Sequence, residues 1–231
     1  MEAWMRNGLF GLALGLVLLG IQCSEPTKSE EKIPEAPAMI VLRGPASVNA
    51  PPQIGQKADE INFYFNSVTG LLADLGKTAP AINSNIYSWE VPLGNGTITK
   101  QIKAVRRSDQ SVDWAAVLNG VAADGTLYSD RKLFVGKSAG DNSAQSWTFY
   151  DLVSGGITHK IAWSKNKNGV ILLDDTFAAT DGLWHLTNAR DFSGSYRYTL
   201  AGKLQFEAVW KADGSGSYID HTLSDTTTAW K

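Results

Sequence analysis

The chain has 231 residues, with Lys+Arg 21 against Asp+Glu 23, a formal net charge of -2 and 43% hydrophobic residues. A length of this order suits one globular domain, or one domain plus a tail, able to bury roughly 70% of its unfolded surface without disulfides or metal. The balanced charge excludes the basic excess of a typical nucleic-acid binder. The apolar and charged fractions exclude wholesale disorder and a multi-span membrane protein, and a single Cys excludes an internal disulfide.

Leu9 to Ile21 is an apolar run that follows Arg6 and ends just before Cys23. A spanning helix needs about 20 apolar residues, so the run has the length of a signal-peptide core, with residues 1–22 as the signal. Glu2 is out of place in a region that should be positive. Translation from Met5 would remove it and begin Met-Arg-Asn.

Leu19-Gly20-Ile21-Gln22-Cys23 resembles a bacterial lipobox, the site at which a Cys is diacylated with chains such as palmitate, the preceding peptide is removed and the new N-terminus is acylated. Gly20 stands where the usual pattern has Leu, and Gln22 where it has a small residue. The resemblance implies lipidation at Cys23 and a membrane-anchored protein of the bacterial cell envelope. Ser24 after the Cys resembles lipoproteins sorted to the outer membrane. The same residues also allow a nearby type I cleavage, an uncleaved anchor or an incidental Cys. Acylation accounts for both the number and the position of the thiol, because lone free thiols are uncommon in exported proteins.

Residues 23–38 are charged, Pro-punctuated and poor in large apolar side chains, which is the composition of an extended tether. A single β-rich domain follows over 39–231. Met39-Ile40-Val41-Leu42 is a short apolar patch suited to an edge strand or a packed arm. Ile61, Tyr64, Phe65, Val68, Leu71, Leu72 and Leu75 then fall on one face at helical spacing, which predicts an amphipathic helix over about 58–75. Asp59 is its expected N-cap, Gly76 and Pro80 its stop, and Gly70 a candidate close packing contact.

From Ile86 the apolar period is two. Val112, Trp114, Ala116 and Leu118 share a face, as do Ile157, Ile161 and Trp163, then Tyr196, Tyr198 and Leu200, then Leu204, Phe206, Ala208 and Trp210. Turn pairs separate these runs: Asn95-Gly96, Asp124-Gly125, Gly155-Gly156, Asn168-Gly169, Asp181-Gly182, Ala201-Gly202 and Asp213-Gly214. The fold class is therefore mainly β: an antiparallel meander of about ten strands, curled into a barrel or half-barrel with the helix packed on it. The segment Leu127 to Val135 carries Ser129 and Arg131 on one face and Asp130 and Lys132 on the other, so neither face suits lipid. Ser193-Gly194-Ser195-Tyr196 recurs as Ser215-Gly216-Ser217-Tyr218, an echo that reads as shared hairpin geometry.

Little in the sequence points to chemistry. His159, His185 and His221 lack the close spacing of a metal motif, so no metal is expected, and His159 reads as a core or lumen residue. Asp174 and Asp175 are adjacent on a strand, point to opposite faces and cannot form one carboxylate pair, with or without Asp220. No nucleophile elbow, phosphate loop or nucleotide fingerprint occurs, so neither a cofactor nor an enzyme activity is expected. Asn95-Gly96-Thr97 matches a glycosylation acceptor but is explained by a hairpin.

The helix-then-meander order resembles, in architecture alone, the open barrels of periplasmic lipoprotein carriers, which hold acyl chains under a helical lid. Lipocalins are a weaker parallel. No motif matches, so no ligand-binding residue is assigned. Two functions follow as expectations. One is a lipid-anchored protein binding an apolar or acyl small molecule on its concave face. The other is a structural or interaction lipoprotein with a filled core and a protein partner. Both engage the membrane through the lipid anchor, and neither involves nucleic acid.

Overall fold

Alternating apolar and polar residues, broken every few positions by turn-forming pairs, leave the chain few choices beyond hairpins. The computed structural model describes residues 32–94 and 97–231. The expected signal peptide, Cys23, most of the tether and the Asn95-Gly96 turn lie outside the described residues. An arm over 33–50 leads to helix α1 (Pro52–Leu72) and a 3-10 turn (Ala73–Gly76). The strands follow: β1 (Ala81–Asn83), β2 (Ile86–Leu93), β3 (Ile98–Arg106), β4 (Val112–Val121), β5 (Leu127–Ser138), β6 (Ala144–Tyr150), β7 (Ile157–Lys165), β8 (Ile171–Phe177), β9 (Gly182–Asn188), β10 (Gly194–Leu200), β11 (Lys203–Trp210), β12 (Gly216–Asp220) and β13 (Thr228–Trp230). They form one antiparallel sheet in sequence order, with β1 and β13 at its two edges, so the ladder does not close.

The sheet has thirteen strands where about ten were expected. The three-residue β1 and β13 are too short to show a period. Several strand breaks also use a turn with no glycine in it. In five hairpins the N–H of the first turn residue donates to the carbonyl four positions on, and the N–H of the fourth donates back to the first: Arg107 with Ser111, Ala122 with Thr126, Asn166 with Val170, Ala189 with Ser193 and Lys211 with Ser215. The fourth residue takes a positive φ, which Gly125, Gly169 and Gly214 accept without strain, but Gln110 and Phe192 occupy the same seat at φ 66 and 67. In four of the five an Asp at the third place holds the turn: Asp191 accepts from the Ser193 N–H at 3.0 Å and its hydroxyl at 2.7 Å, and Asp213 does the same with Ser215. The hydrogen bonds from these serines hold the Asp109, Asp141, Asp191 and Asp213 carboxyls below the usual carboxylate range.

One face of the sheet is covered. Trp89, Ile102, Ala104, Trp114, Phe134, Trp147, Ile161, Leu173, Tyr196 and Trp210 of successive strands all bury on it, in one cluster with Ile54, Ile61, Phe65, Val68 and Leu72 of α1. The helix begins at Pro52, earlier than expected, because Pro at the first helical position has its φ already set. Asp59 is accordingly an exposed residue inside the helix and not its cap. Gly70 faces open space, so the close packing contact expected there does not form. Lys100 of β3 donates to the Leu71 carbonyl at 2.7 Å and pairs with Asp74 at 2.9 Å, while Lys57 pairs with Asp175 of β8. Lys57 to Leu71 spans about 21 Å of helix and β3 to β8 about 24 Å of sheet, so α1 runs across the strands.

The arm continues the cover along one rim. Gln145 Nε2 donates to the Ala38 carbonyl at 2.7 Å, Asn188 Nδ2 to Arg43 at 3.0 Å, and Ser47 Oγ to Lys231 at 2.7 Å. Asn62 of α1 bonds both backbone groups of Leu42. Pro34 and Pro37, assigned by composition to the tether, are buried. The turns before β4, β6, β8, β10 and β12 lie along this arm rim, and those before β3, β5, β7, β9, β11 and β13 along the opposite, far rim.

The echoed Ser-Gly-Ser-Tyr segments share a packing device. Trp210 Nε1 donates to the Phe192 carbonyl and Trp230 Nε1 to the Gly214 carbonyl, each at 2.7 Å. Each indole crosses a glycine of the next hairpin, Gly194 and Gly216, where a Cβ would enter the ring. Gly194→Ala and Gly216→Ala should each cost about 1–3 kcal/mol in urea unfolding, whereas Gly70→Ala should stabilise by up to about 1 kcal/mol. The depressed turn carboxyls add stability that is complete above their unfolded value of about 4 and lost as pH falls through the lower folded values. The melting temperature should therefore hold from neutral pH to about pH 5 and drop below about pH 4. Replacing Asp109, Asp141, Asp191 and Asp213 by Asn should make that drop shallower.

Candidate functional site

Helical spacing sets Lys57 and Glu60 one turn apart on α1, with Tyr64 on the following turn, above the covered ends of β7 and β8. Lys57 Nζ lies 2.6 Å from Asp175 Oδ2 and 3.0 Å from Glu60 Oε2. His159 Nδ1 lies 3.1 Å from Asp175 Oδ1, and its Nε2 3.3 Å from Glu60 Oε1. The four side chains close a ring of alternating contacts between helix and sheet. Asp175 is 0% exposed, His159 1% and Lys57 4%, whereas Glu60 is partly open.

Aromatic side chains frame the ring. Tyr64 packs on His159 with centroids 4.2 Å apart, Phe177 meets the same ring edge-on at 4.8 Å, and the Lys57 ammonium sits 4.8 Å from the centroid of the Trp184 ring. Burial, then the charges of Glu60 and Asp175, push the Tyr64 phenol above its ordinary value. Burial does the same to Tyr196, whose hydroxyl has no hydrogen-bond partner. Each member of the ring faces a polar partner in another, with Asp175 Oδ2 meeting Lys57 as an ion pair and not as a hydrogen bond. Burying a charge is tolerated only in such company, so the arrangement is suited to holding α1 in register on the sheet.

His159 is thus a buried residue of the covered face, as its spacing from Ile161 suggests, although Ile157, expected on the same face, is exposed, and Asp174 and Asp175 point to opposite faces. Asp174 instead meets His185 on the uncovered face, Nδ1 to Oδ1 at 2.5 Å. His221 pairs with Asp225, also at 2.5 Å, which raises its pKa, and Asp220 accepts from the Thr222 N–H and hydroxyl. Among the described residues no three His, Cys, Asp or Glu side chains gather in metal-binding geometry. Lys57 and Glu60 escaped the sequence reading because a charge on the apolar stripe of a helix looks like an interruption of it. The missed signal was the reach of Lys57 toward an Asp on the inward parity of its strand.

Two depressions lie on the uncovered face. One of about 1060 Å³ lies between turn residues 109–111 and 139–141 and is lined by Ser146, Ala162, Ser164, Asp174 and His185. A second, about 500 Å³, is lined by Arg197, Glu207, Val209, Ser217 and again His185, so the two meet there. No protein-family model matches the chain, and no curated protein is detectably similar to it.

Removing one partner of the ring leaves a buried charge without compensation. Lys57→Met should cost about 3–5 kcal/mol in urea unfolding, while Lys57→Met combined with Asp175→Leu should recover most of that loss. Equal losses in the single and double variants would rule out the pairing.

Proposed function

We propose that this chain is a lipid-anchored protein of the bacterial cell envelope, sorted to the outer membrane, whose β domain acts as an interaction module and not as a carrier or an enzyme. The sheet curls part-way round α1 as a half-barrel. The observation that carries this reading is the occupant of the covered face. Where an acyl carrier would hold cargo, this chain puts its own helix, with Ile54, Ile61 and Val68 each 0% exposed and the arm sealing the rim. The polar ring bonds to itself, which fits a fastening role. The joined depressions at His185 on the other face offer Ser, Asp, Arg and Glu side chains to a protein or polymer partner. The lipobox-like residues ending at Cys23 supply the anchor in this reading.

Labelling cells with an alkynyl fatty acid should mark the wild-type chain and not Cys23→Ala. Equal labelling of both would remove the anchor. Mass spectrometry of the purified domain from residue 24 onward should find no stoichiometric acyl lipid. A retained acyl chain would restore the carrier reading.

A further inference from the structure

The two rims differ in charge. The arm rim and the strand ends beside it present Arg43, Arg107, Lys165, Lys167, Arg190 and Lys211, all on its surface. Four exposed turn aspartates share this rim and cancel four of those six charges, and Asp113 pairs with Arg107, whereas the turn that holds Lys167 carries no acid. Asp109, Asp141, Asp191 and Asp213 each accept a hydrogen bond from the N–H of the serine two positions on. The far rim is acidic: its turns hold Asp124, Asp151, Asp181 and Asp225 and, among their described residues, no Lys or Arg, while the strand ends beside it add Lys203 and Asp220, which cancel. At the tip of the turn before β10, Phe192 is 46% exposed in a left-handed backbone conformation, with the Arg43 guanidinium 4.6 Å from its ring centroid. A bulky aromatic held exposed in a strained seat beside a cation has the make-up of an interfacial contact.

The arm runs along this same rim from Ala38 at β6 to Ser47 at the chain end, so the chain from Cys23 joins the domain there. The ten residues 23–32 span at most about 35 Å. The ten-residue β4 sets the far rim about 30 Å from the arm rim.

We propose that the arm rim docks on the anionic surface of the membrane that carries the anchor, with Lys165, Lys167, Arg190 and Lys211 against lipid headgroups and Phe192 at the interface. This rests on the lipid-anchor reading above. Anchoring raises the local concentration of the rim at the bilayer, so weak headgroup contacts suffice. The acidic far rim is repelled from the same surface, and the domain is oriented with its uncovered face free for a partner.

The single Cys allows a test that does not depend on natural lipidation. The chain from Cys23 onward is coupled through that thiol to a maleimide lipid in vesicles of phosphatidylcholine, with or without phosphatidylglycerol. Amine acylation of each lysine is then read by mass spectrometry. On anionic vesicles, Lys165, Lys167 and Lys211 should be protected several-fold relative to neutral ones, with Lys203 on the far rim unchanged. In K167E/R190E/K211E, Lys165 should return to its neutral-vesicle rate. The equally charged control K103E/K160E/K203E should keep the protection. Equal protection of both rims, or none on anionic vesicles, overturns the docking. Failed fatty-acid labelling of Cys23 in cells would overturn the anchor alone.

Discussion

A single-layer sheet of thirteen strands has one apolar face too broad to be left in water, and everything else in this chain follows from how that face is covered. The cover is one helix laid across the strands and one arm laid along their ends. A helix crossing at such an angle meets each strand briefly, so apolar contact alone specifies its position weakly. The ring of Lys57, Asp175, His159 and Glu60 near one end, and Lys100 on the Leu71 carbonyl near the other, supply directional contacts that hydrophobic packing lacks. Their value lies in register more than in net stability, since a buried ion pair roughly offsets its own desolvation.

Turn chemistry is the second organising element. The Asp-x-Ser turn recurs along the arm rim, in the hairpins before β4, β6, β10 and β12, and at Asp191 and Asp213 the carboxylate accepts from both the N–H and the hydroxyl of the serine. Because the hairpins alternate, this turn lands repeatedly on one edge, where Trp210 and Trp230 also tie down the turn carbonyls. The arm lies against that edge through Gln145, Asn188 and the chain end. The far rim receives the Gly-Gly and Ala-Gly turns and a surplus of acid. A charge difference between the two ends of the strands thus arises from the choice of turn residues, in a chain whose total charge is only -2.

The period-two faces were legible because strand parity is local: Trp114 and Ala116 bury as their spacing demands, and so do Phe206, Ala208 and Trp210. Glycine-marked hairpins at Gly125, Gly169 and Gly214 were legible for the same reason. Those before β4, β6 and β10 were not, since Gln110, Asn142 and Phe192 sit at positive φ where no glycine announces it. The early start of α1 was hidden because Lys57 interrupts the apolar stripe. Of the candidate site, His159 and Asp175 were visible one at a time, but their meeting depends on the pairing of β7 with β8 and on where α1 falls.

By itself the sequence determined the mainly β class of fold, the antiparallel meander and the inward face of several strands, because each is written in neighbouring residues. Only the tertiary structure decided that the ladder stays open, that α1 lies across β3 to β8, that four polar side chains close a buried ring, and that the turns without a balancing cation gather on the rim opposite the arm. Those features join residues far apart in the chain, and their positions follow from the accumulated register of many strand pairs.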